Sequence, residues 1–300
     1  MAEAQKHLVI FGSGYVGGAV ARQALARGWR VTALTRNPST AAALRAAGMQ
    51  VIVGDLAGTD WHTRIEACDF VLNAVSSGGG GVEAYRHSYV AGMRSIVEWA
   101  GVRGSIRALV YTSSTSVYAQ GDGVVVTENL PAEPTTERGQ LLREAERIAQ
   151  GGAGSASGRG YRRAVILRLA GIYGPERAHL VDQVRSGVVA GVGGHRLNLA
   201  HRDDICRAVW AAFQGPADAG DAIFNVADDA PAPKAEVVRW LARRLGLPEP
   251  VFSGTPAGSR ERVTPDRIIS NARLKRVLAW TPEFPSFREG YENILSRTAD

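Results

Sequence analysis

Cysteine is scarce: Cys68 and Cys206 are the only two in 300 residues. Two thiols exclude a disulfide framework and are too few for a cysteine-rich zinc or iron–sulfur site. The six histidines do not compensate, being scattered along the chain, so no metal is expected. Long apolar runs are also missing. No stretch reaches the roughly 18 residues of a membrane span. The polar opening Met1 to Lys6 lacks the basic and apolar regions of a secretory signal. A cytoplasmic protein with no membrane partner is expected. No basic run carries interleaved aromatics, although 35 Lys and Arg outnumber 29 Asp and Glu for a net charge of +6. Nucleic acid is therefore not an expected partner. A basic surface, or an anionic small molecule, accounts for the charge.

What is present is a folded chain, 45% hydrophobic and 21% charged, long enough for one large α/β domain with a smaller lobe. Leu8 to Phe11 is a short apolar run of the kind that strands buried on both faces show. Apolar residues at helical spacing follow, up to Gly28. Arg30 to Thr35 reads as the next strand, and Asn37-Pro38 can cap and start a helix that ends at Gly48. Val51 to Val53, Phe70 to Leu72, Ala108 to Tyr111 and Ala164 to Leu169 read as further strands. Val82 to Ala100 and Glu133 to Gln150 read as helices. This alternation predicts a doubly wound parallel sheet with right-handed crossovers, a Rossmann-type α/β fold. Gly151 to Gly160 reads as a surface loop. After Pro175 the rhythm loosens: His179 to Val189 and Asp203 to Phe213 look helical. A dinucleotide-binding domain over residues 1–175 is expected, with a smaller, interleaved substrate lobe over 176–300.

Gly12-x-Gly14-x-x-Gly17 stands where the first strand ends and a helix begins. In that setting Gly12 can make the tight turn, Gly14 lets a pyrophosphate approach the backbone, and Gly17 lets helix and strand pack closely. Free N–H groups at the helix start then face the anion; the alternative is a tight turn without a ligand. The second strand ends in Thr35-Arg36-Asn37 with no carboxylate for ribose hydroxyls. Arg36 can fork onto a 2′-phosphate or stand solvated, so NADP is favoured over NAD. Asp55, in Gly54-Asp55-Leu56, can meet an adenine amino group or remain an exposed turn carboxylate.

With these segments, the chain resembles the extended short-chain dehydrogenase/reductase superfamily, and among it the atypical epimerase/dehydratase-like members with a GxGxxG turn. The resemblance rests on Gly12 to Gly18, Gly54-Asp55-Leu56, Asn73-Ala74-Val75-Ser76, Tyr111 to Tyr118, Leu167 to Pro175 and His201 to Ile205. It implies cofactor contacts at Gly12, Gly14, Tyr15, Val16, Gly17, Arg36, Asp55, Leu56, Ala74 and Ser76, with a small-molecule substrate. Homodimerisation is a further expectation of the family. The implied chemistry is a Tyr-x-x-x-Lys pair with a serine, and Ser114 matches that serine. Alignment places Arg138 at the tyrosine and Leu142 at the lysine, and residues 119 to 160 contain neither Tyr nor Lys. The usual dyad is absent.

Arg138 cannot donate a proton as a phenol does. It can bind a substrate carboxylate or phosphate, stabilise an oxyanion, or stand solvated beside Glu137. Tyr173 is a stand-in acid or a packing residue. His201, beside Asp203 and Asp204, can exchange protons, contact substrate or cap a helix. Tyr118 can serve only if it points into the cleft. Two functions remain open: an NADP-dependent oxidoreductase or epimerase-like enzyme with unusual acid–base groups, and a dinucleotide-binding redox sensor or scaffold.

Overall fold

The computed structural model describes residues 5–151, 158–216, 220–254 and 265–297. The middle of the glycine- and serine-rich segment read as a loop, residues 152–157, lies outside them. β1 (His7–Phe11) is buried along its whole length. On one side it pairs in parallel with β2 (Arg30–Thr35), which pairs with β3 (Gln50–Val53). On the other it pairs with β4 (Phe70–Asn73), followed by β5 (Ala108–Ser114), again in parallel. Ala164–Leu169 and Ala222–Val226 complete a seven-stranded sheet in the order Ala222–Val226, Ala164–Leu169, β5, β4, β1, β2, β3.

The order reverses between β1 and β4, and the register aligns their ends. Phe11 stands beside Leu34 and Asn73, and Asn73 beside Tyr111. The residues that follow, Gly12, Thr35, Ala74 and Thr112, therefore share the carboxyl edge of the sheet. That edge at a switch point is where open α/β sheets form ligand crevices.

Helix α1 (Tyr15–Ala26) follows the glycine turn, and Gly28, at φ +74°, lies just past its end. α2 (Pro38–Ala46) starts as its sequence predicts: the Asn37 side chain accepts from the Ser39 and Thr40 N–H groups, with Pro38 at the first helical position. The single helix expected over Val82 to Ala100 is instead α3 (Val82–Tyr85), a π-helical stretch Arg86–Ala91, and α4 (Gly92–Arg103). α5 (Glu137–Ala149) begins later than expected, where Thr136 Oγ1 accepts from the Gly139 N–H at 3.0 Å. The helix expected over His179 to Val189 stops at Arg185. Gly187 takes φ +78°, and Val188–Val189 pairs with Val251–Phe252.

The chain divides into two compact, interleaved units. One comprises Met1–Tyr118, Ala132–Arg168 and Cys206–Phe224, and carries most of the sheet. The other comprises Ala119–Pro131, Leu169–Ile205 and Asn225–Asp300. Its core gathers Tyr173, Val184, Val238, Leu241, Phe287 and Tyr291. Short strand pairs surround that core, among them Gly171–Tyr173 with Leu199–His201 and Val124–Val126 with Arg267–Ile269.

Candidate functional site

The first unit holds a cavity of about 250 Å³ at the carboxyl edge of β1, β2, β3 and β4. Gly12 turns the chain at φ +90°, and a Cβ there would come within 2.5 Å of the Ala74 carbonyl and the Val75 nitrogen. The missing side chain lets the ends of β1 and β4 meet, with the Ala74 N–H donating to Phe11 O at 2.7 Å. A Cβ on Gly17 would overlap the Gly12 carbonyl, so this glycine packs helix against turn. Gly14 differs: a Cβ there would meet no protein atom within 4 Å. It caps α1 without any side-chain bond, no acidic residue occupies the first helical turn, and the Ser13 hydroxyl is buried without a hydrogen-bond partner. Open space at Gly14, a helix start without a side-chain cap and an orphaned hydroxyl suit a phosphate. The cradle fits a dinucleotide.

Of the expected cofactor residues, the cavity wall brings together Gly12, Gly14, Arg36, Asp55, Leu56, Ala74 and Ser76. Gly17 stands directly behind it, and Tyr15 and Val16 open α1. Arg36 is exposed and has no hydrogen-bond or ion-pair partner among the described residues. Asp55 is the single carboxylate among the described lining residues, and His87 engages it, with Nε2 2.8 Å from Oδ2 and 3.0 Å from Oδ1. Ser13, Thr35, Thr40, His87 and Ser88 also line the cavity. The last two were not legible as site residues, because it is the π-helical stretch that carries them there.

Beyond β5, Ser114 is half-buried and its Oγ accepts from the Ser116 N–H at 3.1 Å, capping a short 3-10 turn. The start of α5 lies against that turn: a Cβ on Gly139 would stand 3.2 Å from Ser116 O. Arg138, the neighbouring residue, places its guanidinium carbon 5.0 Å from the centre of the Tyr85 ring. Behind it, Glu146 is fully buried. It accepts from Ser113 Oγ at 2.7 Å, from Arg168 Nε and Nη2 at 2.9 and 2.7 Å, and from Arg143 Nη1 at 3.2 Å. Tyr118 does not offer a free phenol; it is buried with its ring 4.8 Å from the Arg168 guanidinium carbon.

Tyr173 and His201 belong to the second unit, on paired strands, with ring centres 5.3 Å apart. Tyr291 packs on Tyr173 at 5.0 Å and Phe284 on His201 at 4.0 Å. A Cβ on Gly290 would overlap the Tyr173 hydroxyl, so helix Phe287–Arg297 closes over it. Burial raises the Tyr173 phenol far above its usual pKa and pushes the His201 imidazole down to about 4. Both side chains are enclosed by aromatic packing, and the Tyr173 hydroxyl and His201 Nε2 are buried without a hydrogen-bond partner among the described residues. Among the described residues no cluster of three or more His, Cys, Asp or Glu could hold a metal, and no helix is long and apolar enough to cross a membrane.

The parallel sheet, its switch point and the glycine turn define a Rossmann-type protein. Residues 8–227 match the model of the NAD dependent epimerase/dehydratase family, and the chain belongs to that family, within the extended short-chain dehydrogenase/reductase superfamily. It is 30% identical over 290 residues to Protein YeeZ of Escherichia coli (strain K12), covering 93% of this chain and 97% of that one. It is 28% identical over 257 residues to the 2-alkyl-3-oxoalkanoate reductase of Stenotrophomonas maltophilia (strain K279a), covering 81% and 76% of the two. The structure of MoeE5 in complex with UDP-glucose and NAD superposes with a TM-score of 0.81 at 23% identity, covering 98% of each chain. At that identity the likeness is one of fold.

Proposed function

We propose that this protein binds NADP(H) in the cavity at the carboxyl edge and transfers hydride to or from a carbonyl or alcohol carbon of a small substrate. The open space at Gly14 carries the binding half of this proposal, because no protein atom would meet a side chain there and the missing Cβ leaves the backbone open to a ligand. Membership of an NAD dependent family and similarity to an oxoalkanoate reductase support the reaction class. The free guanidinium of Arg36, with the lining carboxylate already taken by His87, supports the phosphorylated cofactor. Ser114 holds the reacting oxygen at the end of β5, and Arg138 contributes positive charge beside it. When bound, the nicotinamide supplies or accepts the hydride.

Titration of NADPH and NADH against the wild type and Arg36→Glu tests the cofactor. We expect tighter wild-type binding of NADPH, and a selective loss in the variant of about 1–3 kcal/mol for charge-assisted phosphate hydrogen bonds. Equal wild-type affinities would remove the NADP preference. The absence of Tyr and Lys from residues 119 to 160 favours a second reading, a dinucleotide-binding sensor or scaffold without turnover. Cofactor affinity with no carbonyl reduction would establish it.

A further inference from the structure

We propose that Tyr85 is the proton donor of this site and that Arg138 stabilises the phenolate it leaves; the proposal rests on the NADP(H)-dependent reading above. A general acid must reach the reacting oxygen. Of the eight tyrosines, Tyr89, Tyr111, Tyr118, Tyr161, Tyr173 and Tyr291 are buried. Tyr15 and Tyr85 alone keep partial exposure, and Tyr15 stands beside the glycine turn at the start of α1. The histidines of the first unit are engaged: His7 with Thr32, His62 with Ser95 and His87 with Asp55. Tyr85 is the accessible phenol that stands away from the glycine turn.

Its position follows from the turn chemistry around it. β4 ends at Asn73, and Gly78 and Gly79, both with positive φ, swing the chain into α3, which ends at Tyr85. Two adjacent contacts then tie this corner to the start of α5: Arg138 over the Tyr85 ring, and Arg86 Nη2 3.8 Å from Glu137 Oε1. Gly139 abuts the Ser116 backbone, two residues beyond Ser114. The start of α5 therefore links the two sides: Arg138 meets Tyr85, and the next residue, Gly139, meets the turn that Ser114 caps. The phenol absent from α5 stands across from it on α3, against the side chain that occupies the family's tyrosine position.

The cation is also selected by exclusion. The chain has three lysines: Lys6 lies over the Trp29 ring, Lys234 donates to Ala190 O, and Lys275 pairs with Asp229. Arg138 supplies the charge in their place. A guanidinium over an aromatic face is attracted to the ring, and more strongly once that ring carries a phenolate. In the reducing direction the carbonyl carbon accepts the hydride that the reduced nicotinamide supplies, and the C=O π pair moves to oxygen. That oxygen takes the Tyr85 hydroxyl proton as the O–H bond breaks, giving the alcohol. Water then returns a proton to the phenolate.

Two measurements test this. N-acetylimidazole acetylates accessible phenols, and peptide mass spectrometry reads each site. Saturating NADPH should slow acetylation of both Tyr15 and Tyr85 severalfold. If neither is protected, the cofactor reading itself fails; protection of Tyr15 with Tyr85 unchanged overturns the assignment of Tyr85 alone. Reduction of p-nitrobenzaldehyde with NADPH supplies the second readout. Tyr85→Phe should lose at least about 100-fold in rate, the contribution of a general acid, with NADPH affinity and circular dichroism retained. Arg138→Ala should lose less, and Arg138→Lys should recover part of that loss. A wild type inert to the aldehyde, or a Tyr85→Phe variant at the full rate, overturns the proposal.

Discussion

Two glycines three residues apart answer to different constraints. Any side chain at Gly17 collides with the Gly12 carbonyl, whereas one at Gly14 enters open space. Gly17→Ala should therefore cost stability, about 1–3 kcal/mol as overpacking usually does. Gly14→Asp should leave the fold intact and abolish dinucleotide binding, because it sets a carboxylate where the pyrophosphate approaches. Circular dichroism with NADPH titration separates the two, and unchanged affinity in Gly14→Asp would make the glycine turn purely structural. These positions were legible because strand, turn and helix are contiguous in sequence. The surroundings of Tyr173 and His201 were not: Phe284, Gly290 and Tyr291, which enclose them, arrive from far along the chain. Nor did spacing reveal that Tyr85 meets Arg138.

At the scale of elements, α5 is the piece whose placement matters most, since it carries Arg138. Its exposed face is charged, so propensity alone does not fix it on the sheet. Its buried side, Leu141, Leu142, Ala145 and Ala149, does, and within that side Glu146 joins α5 to Ser113 on β5 and to Arg168 on the neighbouring strand Ala164–Leu169. Removing one member of a buried pair leaves the other charged and unpaired, which costs about 3–5 kcal/mol. Glu146→Ala should show such a loss in urea unfolding, while Glu146→Met with Arg168→Met should recover most of it. A loss below 1 kcal/mol in the single variant would mean that water reaches the pair, in the sense of an exposed bridge worth about 0–1 kcal/mol. The sequence pattern showed that a helix stands here and named its apolar side. It missed the π-helical stretch Arg86–Ala91, because apolar spacing does not report whether N–H groups bond four or five residues back.

For the molecule as a whole, the alternation of strands and helices made the sheet readable, while the division into units was not readable as a single boundary near residue 175. Ala119–Pro131 belongs to the second unit through the pairing of Val124–Val126 with Arg267–Ile269, a contact between distant segments that carries no local signal. That unit also holds two buried titratable groups of opposite effect. Burial raises Asp228 from 3.8 to about 8, opposed by the Ala230 N–H and reinforced by Asp229, Asp204 and Glu289. Burial lowers His201 from 6.5 to about 4, against the pull of Asp203. Between pH 3.8 and 8 the folded state keeps a proton on Asp228 that the unfolded chain releases, so stability falls as pH rises. Between pH 4 and 6.5 the unfolded chain binds a proton at His201 that the folded state refuses, so stability rises with pH. The two slopes oppose each other up to pH 6.5, and Asp228 acts alone from there to pH 8. Thermal unfolding should therefore show a decline confined to that upper window. Asp228→Asn should abolish the decline, and His201→Gln should extend it down toward pH 4. An Asp228→Asn protein that declines as the wild type does would show that this carboxyl is ionised in the folded state at neutral pH.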